Sequence, residues 1–331
     1  MSAGLAGPVG LDAAAAVEAL DAYGLAGSAV ELISISENAT WLVRPPGAEP
    51  LVLRLNRPGY HSRAAIESEL AWVSSLRREG VVRTPPVVPT VDGSLVAALP
   101  GRPGQHAVLF AHVRGSHPDE SALLPAFPGL GALTARLHEH ARRWQRPAGF
   151  ERFRWDERTS LGPDGHWGRW QDGLGVGEAE AEVLGAAADL ASDRLRRFGD
   201  AAGTFGLVHA DMRLANLLVD DGEVTVIDFD DCGFSWYLYD LAASLSFIEH
   251  LPEAPALVDA WVQGYRTEAP LSAEEERLLP SLVVLRRILL VAWIGSHRET
   301  EQAAAMGTAF TADSCTLAER YLATAGRTPW R

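Results

Sequence analysis

The apolar pattern of this chain changes period near Gly115, and that change limits the folds open to it. Before Gly115, short runs of strand character dominate: Val30–Ser36, Thr40–Arg44, Leu51–Leu55, and stretches near 94–99 and 106–113. The turns Ser36-Glu37-Asn38, Pro45-Pro46-Gly47 and Pro100-Gly101-Arg102-Pro103-Gly104 separate them. Among them Ile66, Leu70, Val73 and Leu76 recur at helical spacing. That spacing predicts a helix over 62–79, with Ser62 as N-cap and Gly80 as its stop. An Ala-rich helical pattern covers 11–24. Beyond Gly115 helical periodicity takes over, at 119–143, 177–199, 237–249, 253–266, 272–299 and 300–325. One β interruption falls at 217–228, and an irregular segment, 150–176, carries Trp155, Trp167 and Trp170. The expectation is an α+β chain. A helical extension (1–27) precedes a β-rich lobe with one helix (28–113), and a mainly helical lobe follows (114–331).

Composition narrows the partners. Of 331 residues, 47% are hydrophobic, which excludes global disorder. The net charge of −14 argues against nucleic acid and anionic membranes and suits neutral or cationic small molecules. All 29 basic residues are arginine. Two cysteines, Cys232 and Cys315, give neither a disulfide framework nor a four-ligand zinc site. Met1–Val9 has no basic leader, and the most apolar run, Leu282–Ile294, contains Arg286 and Arg287. These features predict a soluble cytoplasmic protein. They leave the oligomeric state open.

The chemistry concentrates in His209-Ala-Asp211-Met-Arg-Leu-Ala-Asn216 and Val224-Thr-Val-Ile-Asp228-Phe-Asp230-Asp231. Two short apolar strands flank the turn Asp220-Asp221-Gly222, a frame that can hold polar groups at its ends. An aspartate such as Asp211 can accept or orient a hydroxyl proton. Asn216 and Asp228 offer two oxygen donors, which suits Mg²⁺, a hard cation that keeps waters and bridges phosphates. Asp-x4-Asn, a hairpin and a further Asp match the loop and metal acid of phosphoryl transfer.

These motifs, with Tyr239-Asp240-Leu241-Ala242, resemble the aminoglycoside phosphotransferase and choline kinase superfamily, small-molecule kinases with a bilobal protein-kinase-like fold. The resemblance covers roughly residues 28–300. It implies that Asp211 is the catalytic aspartate, that Asn216 and Asp228 ligate Mg²⁺, and that Asp240 braces the catalytic loop through His209 or its backbone. Ala210 and Met212 stand where Gly and Leu are more usual. With no lysine available, Arg54 would supply the cation on the nucleotide phosphates. Glu69 would be its ion-pair partner, though the two could also be a surface pair. Ser36–Thr40 resembles the hairpin flanking the nucleotide. Phe110-Ala111-His112-Val113 would be the hinge meeting the base.

Several residues keep two readings. Asp230 is an acid supporting the site or a solvated turn residue. His209 braces the backbone rather than acting as a base. The tryptophans are core or a ligand platform, and Cys232 is a small buried residue. His209–Asp240 carries eight acids and one arginine. That excess favours a cationic acceptor, or it is a solvated hairpin tip.

The implied activity is a kinase moving the γ-phosphate of ATP, with GTP left open, and with Mg²⁺, to a hydroxyl of a small amine-bearing molecule. The alternatives are a protein Ser/Thr kinase of the stress-response type and a non-catalytic nucleotide-binding module. Only eleven residues separate Asp228 from Asp240, too few for an activation loop, which favours a small acceptor.

Overall fold

The computed structural model describes residues 10–36, 38–119, 123–298 and 300–330. The expectations for Met1–Val9 and Glu37 lie outside the described residues. In chain order, the first stretch holds α1 (Ala13–Leu20), β1 (Ala29–Ile35), β2 (Ala39–Arg44), β3 (Leu51–Leu55), α2 (Arg63–Arg78), β4 (Val87–Val88), β5 (Ala97–Ala98) and β6 (His106–Ala111). Then come α3 (Leu123–Arg143), β7 (Phe153–Arg154), α4 (Glu157–Leu161), α5 (Glu178–Phe198), β8 (Phe205–Val208), β9 (Leu217–Asp220), β10 (Glu223–Val226) and β11 (Gly233–Trp236). The remainder holds α6 (Tyr239–Ser244), α7 (Ala254–Arg266), α8 (Ala273–Glu276), α9 (Leu279–Ser296), α10 (Glu301–Met306) and α11 (Ala309–Ala323). The elements sort into two compact units. The first is Met1–Ser116 with Gln145–Arg152 and Leu218–Asp230; the second is His117–Trp144, Phe153–Leu217 and Asp231–Arg331.

In the first unit an antiparallel sheet runs β1-β2-β3-β6-β4, with β5 also on β6. β3 is flanked on both sides, so Leu53 and Leu55 are fully buried and its sequence is apolar except at Arg54. α1 contributes Ala15, Ala16, Ala19 and Leu20, and Leu11 precedes it, to a core shared with Leu53, Leu55 and Leu109. On α2, Ile66 and Leu70 pack with Val96 and Val108. Ser62 caps α2, its hydroxyl accepting the Ala65 N–H at 3.0 Å, and Gly80 (φ 66°) follows its end. The strand expected over 94–99 shrinks to Ala97–Ala98. Its first residues belong to a turn in which Ser94 C=O accepts from Thr90 and Asp92 accepts the Ser94 N–H. The strand expected over 106–113 ends at Ala111.

The second unit is mainly helical around α9, whose residues from Leu279 to Ile294 are all buried. α3 and α7 pack at backbone contact: a Cβ on Gly131 would lie 2.1 Å from Trp261 O, and one on Gly264 1.9 Å from Pro128 O. A small sheet, β7-β11-β8, was not expected from the sequence, nor was the two-residue β4 of the first unit. These strands are too short to show a period.

Three expected helices are also corrected. The 237–249 helix is only α6, because Phe247 takes a left-handed backbone (φ 73°). The 272–299 helix divides into α8 and α9, with Pro280 in the first turn of α9. The 300–325 helix breaks at Gly307 (φ 52°). Segment 150–176 is not wholly irregular: β7 and α4 lie in it, and Trp155, Trp167 and Trp170 are buried.

Candidate active site

Asp211 sits in the turn that leaves β8, a strand held by β11. The turn needs a left-handed residue at Ala210 (φ 67°). Asp240, in the first turn of α6 and fully buried, accepts from both amides of that turn: His209 N–H at 3.0 Å and Ala210 N–H at 2.6 Å. An acid is what two converging buried N–H groups require. His138 on α3 completes it, with Nε2 2.9 Å from the Asp240 carboxylate and Nδ1 3.1 Å from the Tyr265 hydroxyl. Burial pulls the His138 pKa down, against the pull of Asp240, so the ring is assigned as neutral. His209 is itself buried, and its Nδ1 accepts the Asp211 N–H at 3.3 Å. Ser244 of α6 fixes the Met212 carbonyl at 2.7 Å.

The Asp211 carboxylate takes hydrogen bonds from three side chains. Asn216 Nδ2 donates to it and to the Asp211 carbonyl, both at 2.8 Å. That leaves the amide oxygen of Asn216 as the donor available to a cation. Arg213 donates through Nε and Nη2 at 3.0–3.2 Å. Arg286, from the middle of α9, donates at 2.9 Å. Burial raises the Asp211 pKa, but Arg213 and Arg286 outweigh it and hold the carboxyl below its ordinary value. In the sequence Arg286 stands out only as an interruption of an apolar run. Its partner lies 75 residues away, beyond the reach of any local pattern.

In the first unit Arg54 is buried on β3 and makes a two-pronged ion pair with Glu69 on α2, at 2.8 and 2.7 Å. It is not a surface pair. Its Nη1 also lies 3.5 Å from Asp230, and its guanidinium lies 5.7 Å from the Phe110 ring centre. Burial would lower the Arg54 pKa; Glu69, Asp230 and Asp228 raise it further than that. Asp230 is buried, not a solvated turn residue. His61 Nε2 meets its carbonyl at 2.9 Å and its carboxylate at 3.5 Å, and Arg152 donates to the same carbonyl. Burial pushes Asp230 up, but His61 and Arg54 hold it well below the usual carboxylate range.

Asp228 is exposed and left-handed (φ 58°). The Ala111 N–H is spent on Pro86 C=O at 2.8 Å, and His112 is exposed beyond the ladder. Asp220, Asp221 and Glu223 are exposed at the hairpin turn, with Glu223 paired to Arg83 at 2.9 Å. Much of the local acidic excess is therefore solvated.

Among the described residues no cluster of three His, Cys, Asp or Glu side chains could hold a metal alone. Asn216, in the second unit, carries an amide oxygen and Asp228, in the first, a carboxylate, both hard oxygen donors. That fits Mg²⁺, which fills its shell with water and phosphate oxygens, and does not fit zinc.

Comparison with known proteins gives consistent results. A solved structure described as the microcompartment-associated aminopropanol kinase is 46% identical, covers 96% of this chain and 100% of its own, and superposes with a TM-score of 0.89. Amicoumacin kinase of Bacillus subtilis (strain 168) is 26% identical over 287 residues, 82% of each chain. A solved amicoumacin kinase in complex with AMP-PNP, Ca²⁺ and Ami shares the fold at 21% identity, with a TM-score of 0.71 over 86% of this chain and 87% of that one. The profile of the phosphotransferase enzyme family matches residues 29–278. With an antiparallel-sheet unit, a helical unit and an aspartate held in a braced turn, the chain belongs to the phosphotransferase enzyme family.

Proposed function

We propose that the protein is an ATP-dependent amino-alcohol kinase, transferring the γ-phosphate to the hydroxyl of a small acceptor of the aminopropanol type. The observation that carries this reading is the 46% identity to an aminopropanol kinase across nearly the whole of both chains. The local chemistry agrees. Asp211 is kept ionised by its two arginines, so it orients the acceptor hydroxyl and receives its proton as the O–P bond forms. The buried Arg54, locked by Glu69, is the cation for the nucleotide phosphates. Asn216 and Asp228 are the metal ligands, and His112 and Val113, beyond the end of β6, are the backbone that reads the base. A bound Mg²⁺ would neutralise charge on the phosphate oxygens. His209 and Asp240 hold the turn and touch no substrate.

The test is ADP release with Mg²⁺ over separate acceptor pools: 1-amino-2-propanol and ethanolamine, homoserine, and aminoglycosides, each with a GTP arm. The amino-alcohol pool is expected to drive turnover, and Asp211→Asn to lower kcat by about 10²–10⁴-fold with nucleotide affinity kept. Turnover confined to another pool would replace the acceptor. Full turnover in Asp211→Asn would remove Asp211 from the chemistry.

A further inference from the structure

α9 carries two adjacent arginines at its middle, and both are 2% exposed. A buried guanidinium needs partners, and an ion pair in an apolar core is no more stable than well-packed apolar side chains of the same size. Arg287 has a structural answer. It pairs with the buried Glu249 at 2.8 Å, donates to Ser314 Oγ and Phe310 C=O, and lies 3.5 Å from the Phe310 ring centre. Arg286 is different, because its ion-pair partner is Asp211.

The cradle of Arg286 is specific. Nε donates to Ser246 Oγ at 3.0 Å, Nη1 to the Tyr239 hydroxyl at 3.2 Å, and Nη2 to Asp211 Oδ1 at 2.9 Å. The Trp167 ring lies 5.1 Å from the guanidinium carbon and the Tyr239 ring 5.7 Å. Each side-chain nitrogen has a partner, and two aromatic rings border the plane, so the group cannot swing away.

A carboxylate offers about four lone-pair sites. Here Arg286 and Asn216 take one each, and Arg213 takes the rest. Arg286 and Asn216 are buried; Arg286 is anchored on Ser246 and Tyr239, and Asn216 also holds the Asp211 backbone carbonyl. Arg213 is 25% exposed, and its other contact given by the geometry is the Phe247 ring at 5.4 Å. An acceptor hydroxyl therefore gains its lone pair where Arg213 yields, while the two buried donors keep the carboxylate plane fixed.

We propose that Arg286 is a positioning residue for phosphoryl transfer: anchored by Tyr239, Ser246 and Trp167, it sets the orientation of the Asp211 carboxylate toward the acceptor hydroxyl. The proposal rests on Asp211 being the catalytic carboxylate. It gives the Trp-bearing segment a task, since Trp167 forms one wall of the cradle.

The experiment measures kcat and both KM values with MgATP and 1-amino-2-propanol. The variants are Arg286→Met, Arg286→Lys, Asp211→Asn and the double Asp211→Asn/Arg286→Met, with melting temperatures alongside. Arg286→Met is expected to lose about 10²-fold in kcat, with each KM within about threefold of wild type. Arg286→Lys should recover about tenfold of that as a point charge in place of the guanidinium. On the Asp211→Asn background the Met change should cost nothing further.

A kcat within about threefold of wild type in Arg286→Met would overturn the proposal. So would an equal loss on the Asp211→Asn background. Should Arg286→Met fail to fold, Tyr239→Phe removes one anchor and keeps the ring. It is expected to lower kcat about threefold to tenfold at constant KM, and an unchanged kcat overturns the proposal. Wild-type-like turnover in Asp211→Asn would instead overturn the reading of Asp211. An inactive Asp211→Asn beside an intact Arg286→Met would sink the role of Arg286 alone. If wild type is silent on the amino alcohol, that acceptor is wrong, and the same comparison is read on nucleotide hydrolysis by water.

Discussion

Ala210 shows what the turn beneath Asp211 demands. Its left-handed backbone (φ 67°) lets its N–H reach Asp240 at 2.6 Å. A residue with a Cβ pays roughly 1–2 kcal/mol for that conformation. Glycine, more usual here in the superfamily this turn resembles, would avoid that cost but would bring about 0.5–1 kcal/mol of unfolded-chain entropy. Ala210→Gly is therefore expected to raise stability by about 0.5 kcal/mol and leave kcat near wild type, read from denaturant midpoints at constant m-value. The contact between Arg54 and Glu69 was legible at this scale through the resemblance, which implies a phosphate-binding cation on this strand and its acid on the helix that follows; from the residues alone the two could equally have been a surface pair. The approach of Arg286 to Asp211, and of His61 and Arg152 to Asp230, was not. Those pairs are 75, 169 and 78 residues apart.

At the scale of elements, the crossing of α3 and α7 sets where His138 stands, and with it the third contact to Asp240. The helices meet through Gly131 and Gly264, with no room for a Cβ. Gly264→Ala would drive a methyl into the Pro128 carbonyl and is expected to cost about 2–3 kcal/mol or more. Gly129→Ala, two residues before Gly131 on the exposed side of α3 with nothing within 4 Å, should instead stabilise by about 0.5–1 kcal/mol. Opposite shifts in melting temperature for the two variants check the packing. The glycines carry no sequence mark that separates a crossing point from a tolerated weak spot, so this part of the fold was unreadable. The helices themselves were readable, because their apolar stripes persist over three turns or more. β8 and β11, at four residues each, gave no such signal.

For the whole molecule, the change of period near Gly115 made the α+β class legible, whereas the return of 145–152 and 218–230 to the first unit was not. Global stability should also depend on pH through His138. Burial lowers its folded pKa below the ordinary 6.5. Above about 6.5 both states hold it neutral and it contributes no slope. Below that the unfolded chain takes up a proton the folded one resists, so stability falls as pH drops. Wild type is expected to melt at lower temperature at pH 5.5 than at pH 7.5, and His138→Asn to be less stable but with a shallower pH slope.

The twin arginines of α9 bear on the birth of the chain as well. Leu279–Ser296 is long and apolar enough to cross a bilayer by length and composition, yet 89% of it is buried inside the protein. Arg286 and Arg287 fall at the centre of that stretch, where each costs about 2.5–3.5 kcal/mol for insertion, whereas each Leu, Ile, Val or Phe returns only about 0.3–0.6. The side chain that steadies Asp211 in the folded enzyme thus also marks the nascent segment as one the membrane-insertion machinery should reject.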